Sequence, residues 1–363
     1  MNSSKCLLDK NYKIIIINSI ISLISLTSTF YVASCASRDY DNDLSISINA
    51  DKEFKILHFA DLHFGEEGSS YHNKDIKRTL AFIEDTIEQE NPDFIVLLGD
   101  NIMSTGIVGA QFITDTFDHY KIPYTFVFGN HDAELFDETL SKQEVSSYLE
   151  ESDSPYLLYK SGFIQDDSEY RFGYFSINIM NNKTNNILGA FVIIDTGVYD
   201  YSNNRYQSIT NEQISWYKEE INRLNKKYRK QKDNQFDVIP SITYGHEQLI
   251  EFVEAYNKAK ENNGAQILYD QDISSRALDG ILANTGYFNN GFYNAMKEMG
   301  SSKSYTCGHM HNLKAHVKMD NIIQGFCPQA GIISEEIKPC MALSYSIDST
   351  FNYSINFISE NIN

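Results

Sequence analysis

Eight residues of this chain are of types that hold hard or borderline divalent ions, and they share one setting. Asp61, His63, Asp100, Asn130, His131, His246, His309 and His311 all stand in turns that close a short apolar run. Carboxylate, amide and imidazole donors together suit such ions. The clearest stretch is Phe126-Val-Phe-Gly-Asn-His-Asp132, where a strand read over Tyr124 to Phe128 stops at a glycine and presents three polar side chains in a row. That is a poor way to build a core and a good way to build a metal site. Singly, each signal has a duller reading. Gly-Asn-His-Asp is also a polar turn, Asp-x-His and His-x-His arise by chance, and a lone His246 is more often a hydrogen-bonded residue than a ligand. Against this, five of the nine histidines occupy turns of the same kind. His58, His72, His119 and His316 do not, and read as structural or surface residues.

The mixture has a chemical use. Two divalent ions about 3.5–4 Å apart clamp a phosphoryl group and generate a hydroxide between them. Such a pair needs a bridging carboxylate, for which Asp100 is suited, and neutral donors that limit the excess negative charge. A separate acid must protonate the departing oxygen. His131 suits that role, because an unperturbed imidazole titrates near neutrality.

The elements that must position these residues follow a strand–helix rhythm. Phe54 to Ala60 reads as a first strand running into Asp61-Leu-His63. Ile76, Leu80, Ile83 and Ile87 recur at helical spacing within Lys74 to Glu90, and Asn91-Pro92 stops that helix. Phe94 to Leu98 is apolar throughout, as a strand buried on both faces requires, and ends at Gly99-Asp100-Asn101. A helix over Gln111 to Tyr120 precedes the strand ending at Gly129. Residues 134–188 read as a helix, a hairpin and loops peripheral to the site. Later strands are expected over Ala190 to Ile194, Val238 to Tyr244 and Ser304 to Cys307. Thr210-x-x-Gln213 predicts a capping box, and a further helix is expected over Gln248 to Asn262. The alternation after residue 340 predicts antiparallel strands. A mainly parallel sheet follows, with ligands gathered at strand C-terminal ends.

Composition narrows the partners. The 363 residues are 42% hydrophobic, enough for a sizeable core, and 49 acidic residues against 30 basic leave a net charge of −19. That argues against a duplex-nucleic-acid or anionic-membrane binder, whose signature is a basic face, and leaves room for a local basic patch. The run Lys226-Lys227-Tyr228-Arg229-Lys230 is basic, but such a run is usually a solvated helix end. No Cys-x-x-Cys pair occurs; Cys327 and Cys340 are close enough in sequence to close a small disulfide loop in an oxidising compartment. Residues 1–35 begin with Lys5, Lys10 and Lys13 and continue as an apolar run from Ile14 to Val32. This reads as a secretory signal, with an uncleaved membrane anchor as the alternative. Val32-Ala33-Ser34-Cys35 is also similar to the lipobox of bacterial lipoproteins. Every version places the folded part outside the cytoplasm, secreted or held at the cell surface. Residues 36–52 read as a polar tether, and 53–363 as one domain.

In order, Asp61-x-His63, Gly99-Asp100-Asn101, Gly129-Asn130-His131-Asp132, Gly245-His246 and Gly308-His309-x-His311 resemble the five blocks of the calcineurin-like metallophosphoesterase superfamily. The branch labelled purple acid phosphatase-like is the nearest in pattern. The resemblance implies a four-layer α-β-β-α sandwich, two mixed sheets flanked by helices. It implies one ion on Asp61, His63, Asp100 and His311, and a second on Asp100, Asn130, His246 and His309. His131 becomes the outer-sphere acid, and Asn289 is placed near the phosphate. Two departures stand out. Met103 occupies the place of the ferric-binding tyrosine of true purple acid phosphatases, which leaves Mn, Zn or Fe(II) as the expected metals. The carboxylate that orients the catalytic histidine of serine/threonine phosphatases is also absent, with Asp132 as a substitute that the sequence leaves open.

The leading reading is an extracytoplasmic hydrolase of phosphate esters, acting on a small molecule or a phosphoprotein. A nuclease or nucleotide phosphodiesterase on the same scaffold is the alternative within enzymes. A catalytically silent surface binding protein is the alternative outside them, and the filled ligand positions speak against it.

Overall fold

Strands that are apolar on both sides must be covered on both, and in this chain that requirement produces four layers. The computed structural model describes residues 37–38, 43–65, 72–132, 138–166, 169–230, 236–271, 273–283, 291–333 and 339–361. All lie in the compact unit Ser34–Asn363. The apolar run Ile14 to Val32, Cys35 and Asn289 fall outside the described residues.

The chain starts with β1 (Ser37–Arg38), β2 (Leu44–Ile48), β3 (Phe54–Phe59), β4 (Phe64–Gly65) and α1 (Ile76–Glu90). Next come β5 (Phe94–Leu98), β6 (Ile102–Met103), α2 (Gly106–Asp118), β7 (Tyr124–Val127) and α3 (Glu138–Glu151). The middle holds β8 (Phe163–Asp166), β9 (Glu169–Phe172), β10 (Phe175–Asn181), β11 (Ile187–Ile193), β12 (Tyr199–Asp200) and β13 (Arg205–Tyr206). It continues with α4 (Asn211–Tyr228), β14 (Ser241–Tyr244), α5 (Glu251–Lys260), β15 (Ala265–Asp270), α6 (Ser275–Ala283) and α7 (Phe292–Met299). The last strands are β16 (Ser302–Cys307), β17 (Ala315–Met319), β18 (Ile322–Phe326), β19 (Met341–Ile347) and β20 (Tyr353–Ser359).

Two mixed sheets form. The smaller runs β20-β19-β3-β5-β7, with β3, β5 and β7 parallel. The larger runs β1-β2-β10-β11-β14-β16-β18-β17-β15. Strand β11 shows why they face each other. Phe191 and Ile193 point into one apolar cluster with Phe54, Phe94 and Tyr244, while Ala190 and Val192 join another with Tyr217, Ile221 and Phe252. The first cluster also takes Phe82 and Ile83 of α1 and Phe117 of α2, so helices cover the outer face of the smaller sheet; α4, α5 and α7 cover the larger. The capping box at the start of α4 is formed, Thr210 Oγ1 accepting from the Gln213 amide and Gln213 Oε1 from the Thr210 amide.

Four expectations change. Residues 44–48 are not tether: Leu44 and Ile46 are buried in the core, and β2 extends the larger sheet beside β10. Their period-two alternation was the signal, masked by the acid-rich stretch before it. Residues 134–188 hold more than the expected helix, hairpin and loops, because β10 lies within the larger sheet, pairing with β2 and β11. Helix α2 begins at Gly106, before the expected Gln111, since exposed Ile107 and Val108 hide its amphipathic face. Cys307, Cys327 and Cys340 are buried free thiols, so Cys327 and Cys340 do not pair.

The seam between the sheets carries polar groups as well as rings. His58 of β3 places Nδ1 2.9 Å from the Leu343 carbonyl and Nε2 3.0 Å from the Tyr244 hydroxyl of the opposite sheet. The Tyr345 hydroxyl of β19 lies 2.8 Å from His316 Nε2 and 2.9 Å from Thr306 Oγ1, both in the larger sheet. Losing a partner in a dry seam leaves a desolvated group behind. Tyr345→Phe is therefore expected to destabilise the protein by about 1–3 kcal/mol, read as a lower urea midpoint at unchanged slope. An unchanged midpoint would show that Tyr345 does not tie the sheets.

Candidate metal centre

The C-terminal ends of β3, β5, β7, β14 and β16 converge, and the chain leaves them in an unusual conformation. Asp61, His63, Asp100 and His309 have φ of 54, 50, 51 and 66°. Asp and His enter this left-handed region more readily than most residues, at roughly 1–2 kcal/mol each. In exchange the turns fold back sharply enough to aim side chains at one point. Backbone bonds hold the turns together: Asp61 N–H donates to the Gly99 carbonyl at 3.0 Å and His63 N–H to the Asp100 carbonyl at 2.9 Å. Residues 327–331 span both sheets, with Gln329 N–H on the His311 carbonyl and Ala330 N–H on the Ala60 carbonyl, each 2.8 Å. Two glycines permit the close approach. A Cβ on Gly99 would fall 2.2 Å from His246 Nδ1, and one on Gly129 would fall 2.2 Å from the Asp100 nitrogen.

Two donor groups result. Asp61, His63, Asp100 and His311 bring one ligand atom each within 4.8 Å of one another, and so do Asp100, His246 and His309. Asp100 belongs to both. Asp61 Oδ1 lies 3.3 Å from His311 Nε2 and 3.9 Å from His63 Nε2, and Asp100 Oδ2 lies 3.1 Å from His246 Nε2 and 3.8 Å from His63 Nε2. Yet Asp61 Oδ1, Asp100 Oδ2, Asn130 Oδ1, His63 Nε2 and His246 Nε2 are buried without a hydrogen bond among the described residues. So many unsatisfied buried polar atoms cannot be a resting arrangement for an apolar core. They fit a pair of divalent cations, which would satisfy all five. His246 Nδ1 lies 2.9 Å from the Leu98 carbonyl, and that bond turns Nε2 toward the site.

The titration behaviour has the same origin. Burial works against the Asp100 anion, yet His246, His131 and His63 hold its carboxyl well below the usual range. Asp61 is likewise lowered against the cost of burial, by His311 and His246. Burial pushes His63 and His309 down to about 3, so both are neutral donors at neutral pH. Although burial disfavours its cation, Asp100 and Asp61 push His246 up to about 10, where its proton supplies the positive charge the carboxylates demand.

Every residue singled out in the sequence except Asn289, which lies outside the described residues, stands at this convergence. His131 is half-buried, its N–H donating to Asp100 Oδ1 at 2.7 Å and its ring centroid 5.3 Å from that of His63. Asp132 has a role its sequence did not disclose. Its carboxylate accepts from the backbone of Gly129, Asn101 and Ile102 at 2.6, 2.8 and 2.9 Å, lashing the turn after β7 to the turn after β5. Three more contributors were missed. The Lys142 ammonium lies 2.9 and 3.0 Å from the two oxygens of Asp195, pinning α3, which follows the His131 turn, to the end of β11. Glu247 is buried beside His246 and raised well above its ordinary value by that burial. Tyr206 sets its ring edge-to-face with His309, centroids 4.6 Å apart. Asp195 and Glu247, both at strand ends, were visible signals; Lys142 and Tyr206 had none.

The calcineurin-like phosphoesterase family matches residues 54–312. A relative from Arabidopsis thaliana named probable inactive purple acid phosphatase 29 is 27% identical over 292 residues, 74% of this chain and 69% of that one. Another, probable inactive purple acid phosphatase 14 from the same plant, is 25% identical over 296 residues, 73% and 67% of the two chains. The solved structure of a dimetal phosphatase from Danio rerio covers 85% of this chain and 99% of its own at 11% identity, with a TM-score of 0.49.

Supports of this kind around metal ligands are worth about 10- to 100-fold in metal affinity. Asp132→Ala, which frees three backbone amides beside Asp100 and Asn130, is expected to weaken metal binding by that factor in a chelator-competition titration. Parent-like affinity would mean that the two turns hold their places without the carboxylate.

Proposed function

The chain belongs to the calcineurin-like phosphoesterase family, and from that membership we propose that it is an extracytoplasmic hydrolase of phosphate esters working with two divalent ions. The observation that carries the reading is the set of five buried donor atoms without a hydrogen bond at the strand ends. One ion would be held by Asp61, His63, Asp100 and His311, and the other by Asp100, Asn130, His246 and His309. Bound there, the ions supply Lewis acidity to the phosphoryl oxygens and lower the pKa of water.

The remaining work falls to the chain. Asp61, His63, Asp100 and His246 are shut away from solvent, whereas His311, with 26% of its side chain exposed, and half-buried His131 and His309 border the open side. Substrate would approach there. His131, fixed through its own N–H on Asp100, gives its ring proton to the departing oxygen of the ester. Met103 is buried in β6, where a true purple enzyme has a tyrosine, which supports Mn, Zn or Fe(II) over ferric iron. The names of the two plant relatives favour a second reading, a silent protein that keeps the fold. The completeness of the donor set and the presence of His131 weigh against it.

The two readings separate in one series of assays. The parent is expected to hold two metal equivalents and to hydrolyse p-nitrophenyl phosphate until chelated. Asp100→Asn should lose most metal and nearly all turnover. His131→Ala should keep both metals and lose roughly 100- to 10,000-fold in turnover, more for alkyl esters than for p-nitrophenol, which leaves without protonation. A metal-replete parent with no turnover would establish the silent reading instead.

The extracytoplasmic part of the proposal rests on the basic-then-apolar start and Val32-Ala33-Ser34-Cys35. Among the described residues no helix is long and apolar enough to cross a membrane. Cys35→Ala is expected to leave the protein unprocessed or to release it from the membrane fraction. Normal processing and parent-like fractionation of that variant would discard lipidation at Cys35.

A further inference from the structure

The antiparallel pair β12–β13 stands just beyond the end of β11, and one face of it is aromatic. Tyr199 and Tyr206 are directly opposite in the ladder, and their rings meet at 4.9 Å. Tyr201, in the turn that follows β12, adds a third ring at 5.0 Å from Tyr199. The face is turned to the metal centre, because Tyr206 lies 4.6 Å from His309. A continuous row of rings thus leads from a metal-ligand candidate out to Tyr201, which is 73% exposed.

Several polar groups of the hairpin are engaged with one another. The Tyr199 hydroxyl donates to Asn204 Oδ1 at 2.8 Å. The Asp200 carboxylate accepts from the backbone of Ser202 and Asn203 and from their side chains, closing the turn on itself. What the hairpin offers a ligand is ring surface. A flat heteroaromatic ring takes such a surface by stacking. Of the three rings the outermost, Tyr201, is the exposed one, while Tyr199 and Tyr206 are both half-buried. A ring bonded directly to the ester oxygen would meet Tyr206; one carried a sugar's length away meets Tyr199 and Tyr201.

We propose that the tyrosine face of the Tyr199–Tyr206 hairpin is the leaving-group subsite, and that the substrate is a nucleoside phosphate whose base stacks on Tyr199 and Tyr201. This rests on the phosphoesterase reading of the adjoining centre and names its substrate class.

The test compares 5′-AMP with ribose 5-phosphate, which differ only in the base, by calorimetric binding to the metal-loaded full chain carrying His131→Ala. Base stacking on an aromatic side chain corresponds to about a 5- to 100-fold change in affinity. In that background AMP is expected to bind tighter than ribose 5-phosphate by such a factor. Adding Tyr201→Ala should shrink the ratio at least fivefold, and adding Tyr201→Phe should preserve it. Three results overturn the inference: equal affinity for the two ligands, equal loss of both on Tyr201→Ala, or a Phe variant as impaired as the Ala variant. Because binding is read apart from turnover, a silent centre with an intact AMP preference would refute the hydrolase and leave the subsite standing.

Discussion

Two carboxylates, Asp61 and Asp100, end adjacent parallel strands and are both shut away from water. Like charges in a dry site are tolerated only where positive charge meets them. The structure answers with imidazoles: His63 faces both carboxylates, His246 lies against Asp100, and His311 lies against Asp61. Imidazole is an apt filler, since it is a neutral donor when cations are bound and can itself carry a proton when they are not. Within one cluster burial holds His63 neutral, while Asp100 and Asp61 favour the proton on His246.

Holding these groups in place requires local structure that works against stability. Four of the donors occupy left-handed backbone, and among them Asp61 Oδ1, His63 Nε2 and Asp100 Oδ2 lack hydrogen bonds. Such strain persists only when the surroundings over-determine it. Here the surroundings are the parallel register of β3, β5 and β7, the Asp132 carboxylate across two turns, the Lys142–Asp195 pair, and residues 327–331 laid across both sheets. The seam behind them adds its own ties, with His58 and Tyr345 reaching from one sheet to the other. Rigidity is concentrated where the centre needs it, and the half-buried histidines mark the side left open.

That open side also carries an element set apart from the two large sheets. Among the described residues the β12–β13 pair is joined to neither large sheet. Its contact with the centre is through Tyr206 and His309. A short hairpin that touches a ligand candidate with one ring and presents two more outward can change without disturbing the donors.

The sequence by itself determined the donor set, its order and its strand-end setting, because each donor follows a run whose apolar character depends on local composition alone. It also determined the alternation of strands and helices before residue 130 and the capping box at Thr210. Tertiary structure decided what depends on partners distant in the chain. Residues 44–48 became a strand because β10, more than 130 residues later, offers an edge to pair with. Asp132 became a clamp because the amides it accepts from belong to another turn. Tyr206 became part of the centre because a hairpin after β11 meets a histidine after β16. No local pattern records such meetings, since composition and periodicity describe a residue's own neighbours, and these contacts join residues that the fold alone makes neighbours.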